Sequence, residues 1–260
     1  MEVVICPGPD EMARLAADAI AAAVPGREFV LGVATGSSPR GVYAELVARV
    51  RAGELDLSGT RTFSLDEYVG LPADHPASYR SEIRRVLTDP AGIPAEQVHC
   101  PDGGASDLPA AAAAYEEAIE AAGGVDLQLL GLGSDGHIAF NEPGSSLTSR
   151  TRVKTLTTVT RTDNARFFDD DPDAVPRHCL TQGLGTIGRA RHVVLLAAGE
   201  RKAEAVQQLV EGPVSARWPA TVLQLHPHVS VLLDEAAASR LELADYYREA
   251  WAHKPEWQGL

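Results

Sequence analysis

Cysteine is scarce: Cys6, Cys100 and Cys179 are odd in number, widely scattered and without a C-x-x-C pair, so neither a disulfide framework nor a cysteine-based zinc site is indicated. Long apolar runs are missing too. Nowhere do about 18 apolar residues follow one another, which removes a membrane-spanning helix, and the short run after Met1 and Glu2 stops at Pro7, too early for a signal peptide. Basic residues are outnumbered, 23 Lys plus Arg against 36 Asp plus Glu, for a net charge of −13. That balance disfavours nucleic acid or an anionic membrane as partner, and an anionic substrate would need a local cationic pocket. These absences point to a cytoplasmic location.

What remains is ordinary for a folded chain: 260 residues, 45% hydrophobic and 23% charged. One domain spanning residues 1–260 is expected. Short apolar runs at 3–6, 29–34, 62–65, 125–130, 192–197 and 229–233 read as strands. Helical patterns lie between them, near 10–24, 39–50, 109–122, 200–212 and 241–251, with Asp10 and Ser38 as expected N-caps. The alternation predicts an α/β fold with a mostly parallel sheet covered on both faces. Such sheets bind ligands beyond the carboxyl ends of their strands.

Thr35, Gly36, Ser37 and Ser38 join a strand to a helix and offer hydroxyls and backbone N–H groups at the positive end of that helix. The loop lacks the G-x-x-x-x-G-K-[ST] spacing, so a single phosphate is a more economical ligand than a nucleotide; a plain capped turn is the alternative. Asp66 and Glu67 follow the next strand, and one of them could serve as a base; helix caps or surface groups are the bland alternative. Gly131, Gly133 and Gly136 spell G-x-G-x-x-G, but Pro143 arrives where a helix should run and Asp135 would face a pyrophosphate, so a dinucleotide site is rejected. Asp135, His137 and Glu142 in this segment could form acid–base apparatus, a carboxylate orienting an imidazole. They could also be metal ligands, although no second His lies at i+3 or i+4. His226-Pro227-His228 and the His178–Cys179 pair are given no role, the latter lying in an expected mobile stretch that holds the acidic run Asp169–Asp171 and Asp173.

The segments LGVATGSSP, LDEYVGLP, HPASY, GLGSDGHIAFNEPGSSLTSRTRVKTL, ARFFDDD and LQLHPH together resemble the bacterial glucosamine-6-phosphate deaminases, nearly end to end. The related 6-phosphogluconolactonases share a Gly-Asp-Gly-His core but lack the Asp-Glu-Tyr-Val-Gly and Asn-Glu-Pro elements intact here. The resemblance implies a Rossmann-like three-layer α/β/α sandwich and a cofactor-free, metal-free conversion of glucosamine 6-phosphate to fructose 6-phosphate and ammonia. It implies that Asp66 is the base at C2, that His137 opens the sugar ring, and that Asp135 and Glu142 flank this histidine. Thr35, Gly36, Ser37 and Ser38 would hold the phosphate with Arg166 and Lys202. Ser145, Arg152, Lys154 and Thr155 match an activator pattern of hexameric members that respond to N-acetylglucosamine 6-phosphate, although the family's C-terminal effector tyrosine falls near Arg248, with Tyr246 and Tyr247 close by. A sugar-phosphate substrate, a homohexamer and a lid at residues 161–177 are the remaining expectations. A lactone hydrolase, a non-catalytic sugar-phosphate sensor and a generic aldose–ketose isomerase are the competing classes.

Overall fold

The computed structural model describes residues 1–24, 28–72 and 74–260. Among the described residues, ten strands are defined: β1 (Glu2–Cys6), β2 (Phe29–Val33), β3 (Thr60–Ser64), β4 (Asp66–Tyr68), β5 (Val98–His99), β6 (Leu127–Gly131), β7 (Arg152–Thr155), β8 (His178–Thr181), β9 (His192–Ala197) and β10 (Val229–Asp234). The α-helices are α1 (Pro9–Ala23), α2 (Arg40–Arg51), α3 (Tyr79–Ile83), α4 (Leu108–Ala121), α5 (Thr158–Asn164), α6 (Leu184–Ile187), α7 (Ala203–Glu211) and α8 (Ala244–Ala252).

Seven strands form a parallel sheet in the order β1-β10-β9-β6-β2-β3-β5. Strands β2 and β9 are buried along their whole length, as sheets covered on both faces require. Alternate side chains serve opposite layers. Phe29, Leu31 and Val33 meet Met12, Ala16 and Ile20 of α1 and Tyr43 and Leu46 of α2 on one face. On the other, Val30 shares a core with Tyr115 and Ile119 of α4 and Val206 and Leu209 of α7. The result is the expected three-layer α/β/α sandwich.

Two expected caps are displaced. Helix α1 starts at Pro9, so Asp10 lies inside its first turn, where a carboxylate favours the positive helix end. Helix α2 starts at Arg40 after Pro39, and no side chain caps it, which leaves Ser38 in the preceding loop.

The chain leaves β2 towards one edge through β3 and β5, then returns to lay β6 against the other side of β2. The loops after β2 and β6 therefore diverge, opening a crevice at the switch point of the sheet. A second, antiparallel sheet in the order β4-β8-β7 sits beyond this crevice, and the sequence patterns did not foretell it. Gln182 pins its junction with the main sheet, donating its N–H to Leu65 O at 2.7 Å and its side-chain Nε2 to Ser64 O at 3.0 Å. His178 and Cys179 belong to β8, and Cys179 is fully buried, which corrects their assignment to a mobile stretch.

Residues 161–177 include the end of α5 and a short helix at Ala165–Phe167. Phe168 and Val175 pack into a third apolar cluster with Tyr68, Tyr79, Phe140 and Cys179. Arg161 staples the segment by donating to Val175 O at 3.0 Å and Pro172 O at 2.6 Å. The acidic run is exposed, and Asp169 and Asp170 take positive φ in the turn. Among the described residues, no helix is long and apolar enough to cross a membrane.

Candidate active site

Four strand ends meet around one pocket of about 220 Å³. The loop after β2 contributes Thr35, Gly36, Ser37 and Ser38; the start of β4 contributes Asp66; the loop after β6 contributes Gly133, Ser134 and His137; the turn after β9 contributes Lys202. The segment 161–177 adds Arg166 and Phe167, and the end of α5 adds Asp163 and Asn164. Gly36 has φ +98°, a left-handed turn that residues with a Cβ rarely adopt, and it bends the loop just ahead of α2. Peptide N–H groups at that end carry partial positive charge, so the loop suits an anion. Arg166 and Lys202 supply the formal cations of the pocket wall. Arg166 lies over the Phe167 ring at 4.8 Å, and burial lowers the proton affinity of Lys202. These two cations share the wall with Asp66, Glu82 and Asp163, and an anionic substrate of so acidic a chain could use them.

The two adjacent carboxylates after β3 have separate fates. Asp66 lines the pocket and is only 6% exposed. Burial pushes its carboxyl well above the usual carboxylate range, and the neighbouring Glu67 charge adds to the shift. Glu67 turns away to the N-terminus of α3, where it accepts from the N–H groups of Tyr68 at 2.9 Å, Tyr79 at 3.1 Å and Arg80 at 3.0 Å. Burial raises it as well, against the pull of those three donors. Alternation along β4 separates a carboxylate facing the pocket from one spent on the backbone.

His137 Nδ1 lies 2.7 Å from Asp135 Oδ1, and the same oxygen accepts the His137 backbone N–H at 3.1 Å. Burial would raise the Asp135 carboxyl, but the His137 ring, its charge and the N–H together hold it below the usual range. The pairing turns the other ring nitrogen, Nε2, away from Asp135. A Cβ at Gly133 would sit 2.5 Å from the His137 ring, and one at Gly136, with φ +82°, would sit 2.6 Å from Trp218. These glycines thus seat an imidazole and an indole rather than a pyrophosphate. Ala139, also in the pocket wall, holds φ +51°, a strained value for a residue with a side chain.

Glu142 departs from expectation. It is buried, but its carboxylate hydrogen-bonds with Thr160 and Thr157 and not with His137. The matched activator residues lie outside the pocket wall. Ser145 is buried, while Arg152 and Lys154 share one face of β7 and Thr155 lies on the other. In α8, Arg248 pairs with Glu235 at 2.6 Å and with Asp245 at 2.9 Å, and Tyr247 donates to Glu211 at 3.4 Å. His226 is structural, its ring meeting Ala190 O at 2.7 Å and the His228 N–H at 3.0 Å. Among the described residues, no three His, Cys, Asp or Glu side chains converge as a metal site would need.

Tyr79, Glu82, Phe140, Thr160 and Asp163 also line the pocket, and no local sequence signal had marked them as site residues. Glu82 is neutralised by Arg40, whose Nη2 lies 2.9 Å from it.

A family model described as glucosamine-6-phosphate isomerases/6-phosphogluconolactonase matches residues 9–232. The chain belongs to this family. Within it, the chain is 63% identical to the glucosamine-6-phosphate deaminase of Mycolicibacterium smegmatis and 59% identical to that of Streptomyces coelicolor, in both cases with both chains covered in full. A solved structure described as a monomeric glucosamine-6-phosphate deaminase superposes with TM-score 0.89 at 40% identity, covering 92% of this chain and 100% of that one. The 6-phosphogluconolactonase of Trypanosoma cruzi shares the fold, with TM-score 0.71 at 24% identity over 93% of this chain and 97% of that one.

Proposed function

We propose that this chain isomerises and deaminates glucosamine 6-phosphate, giving fructose 6-phosphate and ammonia, as one domain acting in the cytoplasm. The observation that carries the reading is Asp66, a buried carboxylate with raised proton affinity at the wall of a pocket that also holds His137 and two cations. Lactone hydrolysis has no use for such an enolisation base; isomerisation does. The relatives named as deaminases, identical at about six positions in ten, supply the amino group that geometry alone does not specify.

The phosphate binds the Thr35–Ser38 loop with Arg166 and Lys202, anchoring the far end of the sugar so that C1 and C2 lie against Asp66. His137, oriented through Nδ1 by Asp135, moves the proton that opens the ring and frees the C1 aldehyde. That carbonyl acidifies the C2 proton, which Asp66 removes to give an enolamine. Return of a proton to C1 leaves an imine at C2; water adds to it, and ammonia departs as the C2 ketone forms. The sequence consumes one water and involves no change of oxidation state overall, so it calls for no cofactor. Residues 161–177 act as a lid carrying Arg166 over the phosphate.

If the cations grip phosphate alike in the ground and transition states, removing them should raise KM and leave kcat nearly unchanged. Arg166→Ala and Lys202→Ala are each expected to raise KM by about 10- to 100-fold, the worth of a charge-assisted hydrogen bond. A fall in kcat with constant KM would place these side chains elsewhere in the reaction. The direct test of the reading offers the purified chain glucosamine 6-phosphate and 6-phosphogluconolactone side by side: ammonia from the first supports it, and hydrolysis of the second alone overturns it.

For assembly, we infer a homohexamer activated by N-acetylglucosamine 6-phosphate, supported by Arg152 and Lys154 on one face of β7. Sedimentation with and without that ligand tests this; a monomer indifferent to it would instead match the solved neighbour described as monomeric.

A further inference from the structure

Glu142 joins two segments that must stay in register. It belongs to the loop that carries Asp135 and His137, yet its carboxylate reaches across to α5. Its Oε1 accepts from Thr160 Oγ1 at 2.5 Å and from Thr157 Oγ1 at 3.4 Å. Thr157 is the N-cap of α5: its hydroxyl accepts the Thr160 N–H at 3.2 Å and lies 3.0 Å from Thr160 Oγ1. A threonine hydroxyl has one proton to give, and the shorter contact assigns that of Thr160 to Glu142. Of these three residues, only Thr160 also lines the pocket.

The chain then runs from Thr160 through the rest of α5 into the short helix at Ala165–Phe167, so Asp163, Asn164, Arg166 and Phe167 reach the pocket from one continuous helical stretch. Arg161 ties the far side of this stretch to Val175 and Pro172 within the same segment. The contact between Thr160 and Glu142 is therefore a link between the lid and the acid–base loop.

We propose that Thr160 is a positioning residue whose hydroxyl latches α5, and with it Arg166, to the His137 loop through Glu142. The inference rests on the reading of Arg166 as a phosphate ligand. The Thr160 hydroxyl takes no part in proton transfer. Its loss slackens the segment that carries Arg166 and leaves a buried carboxylate with only its longer, weaker partner. Because Arg166 grips phosphate before and during the reaction, the loss shows in KM rather than in kcat.

Thr160→Val keeps the branched shape and deletes the hydroxyl; Thr160→Ser keeps the hydroxyl and deletes the methyl. For Thr160→Val, the expected result is a KM for glucosamine 6-phosphate raised about 10-fold or more, a smaller change in kcat, and protease cleavage that speeds up within residues 161–177 more than elsewhere in the chain. Thr160→Ser should restore all three towards wild type. Wild-type KM and cleavage rate in Thr160→Val would overturn the latch, as would a serine variant no better than valine, which would assign the role to methyl packing. If the valine variant fails to fold, Thr160→Ala gives the same comparison against serine. Wild-type protein that releases no ammonia would sink the deaminase reading instead, and the cleavage rates would still decide the latch.

Discussion

Asp66→Asn should stop ammonia release while producing a chain that melts higher at neutral pH. The loss of turnover is expected to be at least about 10²–10⁴-fold, the usual contribution of a positioned acid–base group, because asparagine keeps the shape of the site and cannot accept the C2 proton. The gain in stability has a separate cause. Burial, with the Glu67 charge behind it, holds the Asp66 carboxyl well above the usual carboxylate range. An unfolded chain ionises that carboxyl at its ordinary pKa, whereas the folded chain must bury the charge. Stability attached to this group is therefore fully present below the unfolded pKa and is lost as pH rises through the folded one. The advantage of asparagine is greatest at neutral pH and shrinks as pH falls. Melting curves of both proteins across that range check the sign; a lower melting temperature for Asp66→Asn at neutral pH would mean that the ionised carboxylate is held by favourable contacts. Activity should run the other way. A base must be ionised, so wild-type kcat/KM falls as pH drops through the raised pKa of Asp66. Function at this position costs stability, as is common where a site needs a buried charge.

Gly133→Ala should lower kcat by about 10²-fold or more, the order expected when a reacting group moves by about 1 Å. The added Cβ would stand 2.5 Å from Cε1 and Nδ1 of the His137 ring, closer than any such contact can stand. The ring must then shift, and its pairing with Asp135 shifts with it. Gly133 keeps an ordinary backbone angle, so the substitution acts through the ring rather than through backbone strain. Steady-state kinetics together with the melting temperature read the effect. A large fall in kcat in a folded chain agrees with an imidazole whose placement matters, and wild-type kcat would remove His137 from the chemistry. Gly59→Ala, away from the pocket, is the control: nothing lies within 4 Å of a Cβ there.

The core of the fold was legible because its strands are short apolar runs set between helices with apolar residues three and four apart. Phe29–Val33 and His192–Ala197 are buried on both faces, and nothing but a covered parallel sheet accommodates them. The second sheet was not legible. Arg152–Thr155 reads as a polar segment because one face of it is exposed, and Asp66–Tyr68 follows β3 with only Leu65 between them, so local pattern merges the two strands. Strand order is likewise absent from local sequence, although it is what puts the loops after β2 and β6 on either side of one crevice.

At the site, local pattern picked out residues close together in sequence, whereas Arg166 and Lys202 entered only through the family resemblance. Asp135 reaches His137 across a single residue, Gly136, and a Gly-rich segment announces such a turn. The partners of Glu142 lie 15 and 18 residues further on, in threonines that carry no mark of function. Glu67 and Asp66 look equivalent as neighbours in a sequence. Only β4 and the start of α3 separate the cap, Glu67, from the carboxylate that lines the pocket, Asp66.

Ammonia and fructose 6-phosphate, measured together as the wild-type chain consumes glucosamine 6-phosphate, decide whether the chain is a deaminase. Deaminase activity requires that both appear at the same rate and in equal amounts, with no added metal or cofactor. Binding of the sugar phosphate without release of either product, or isomerised sugar without ammonia, would contradict it.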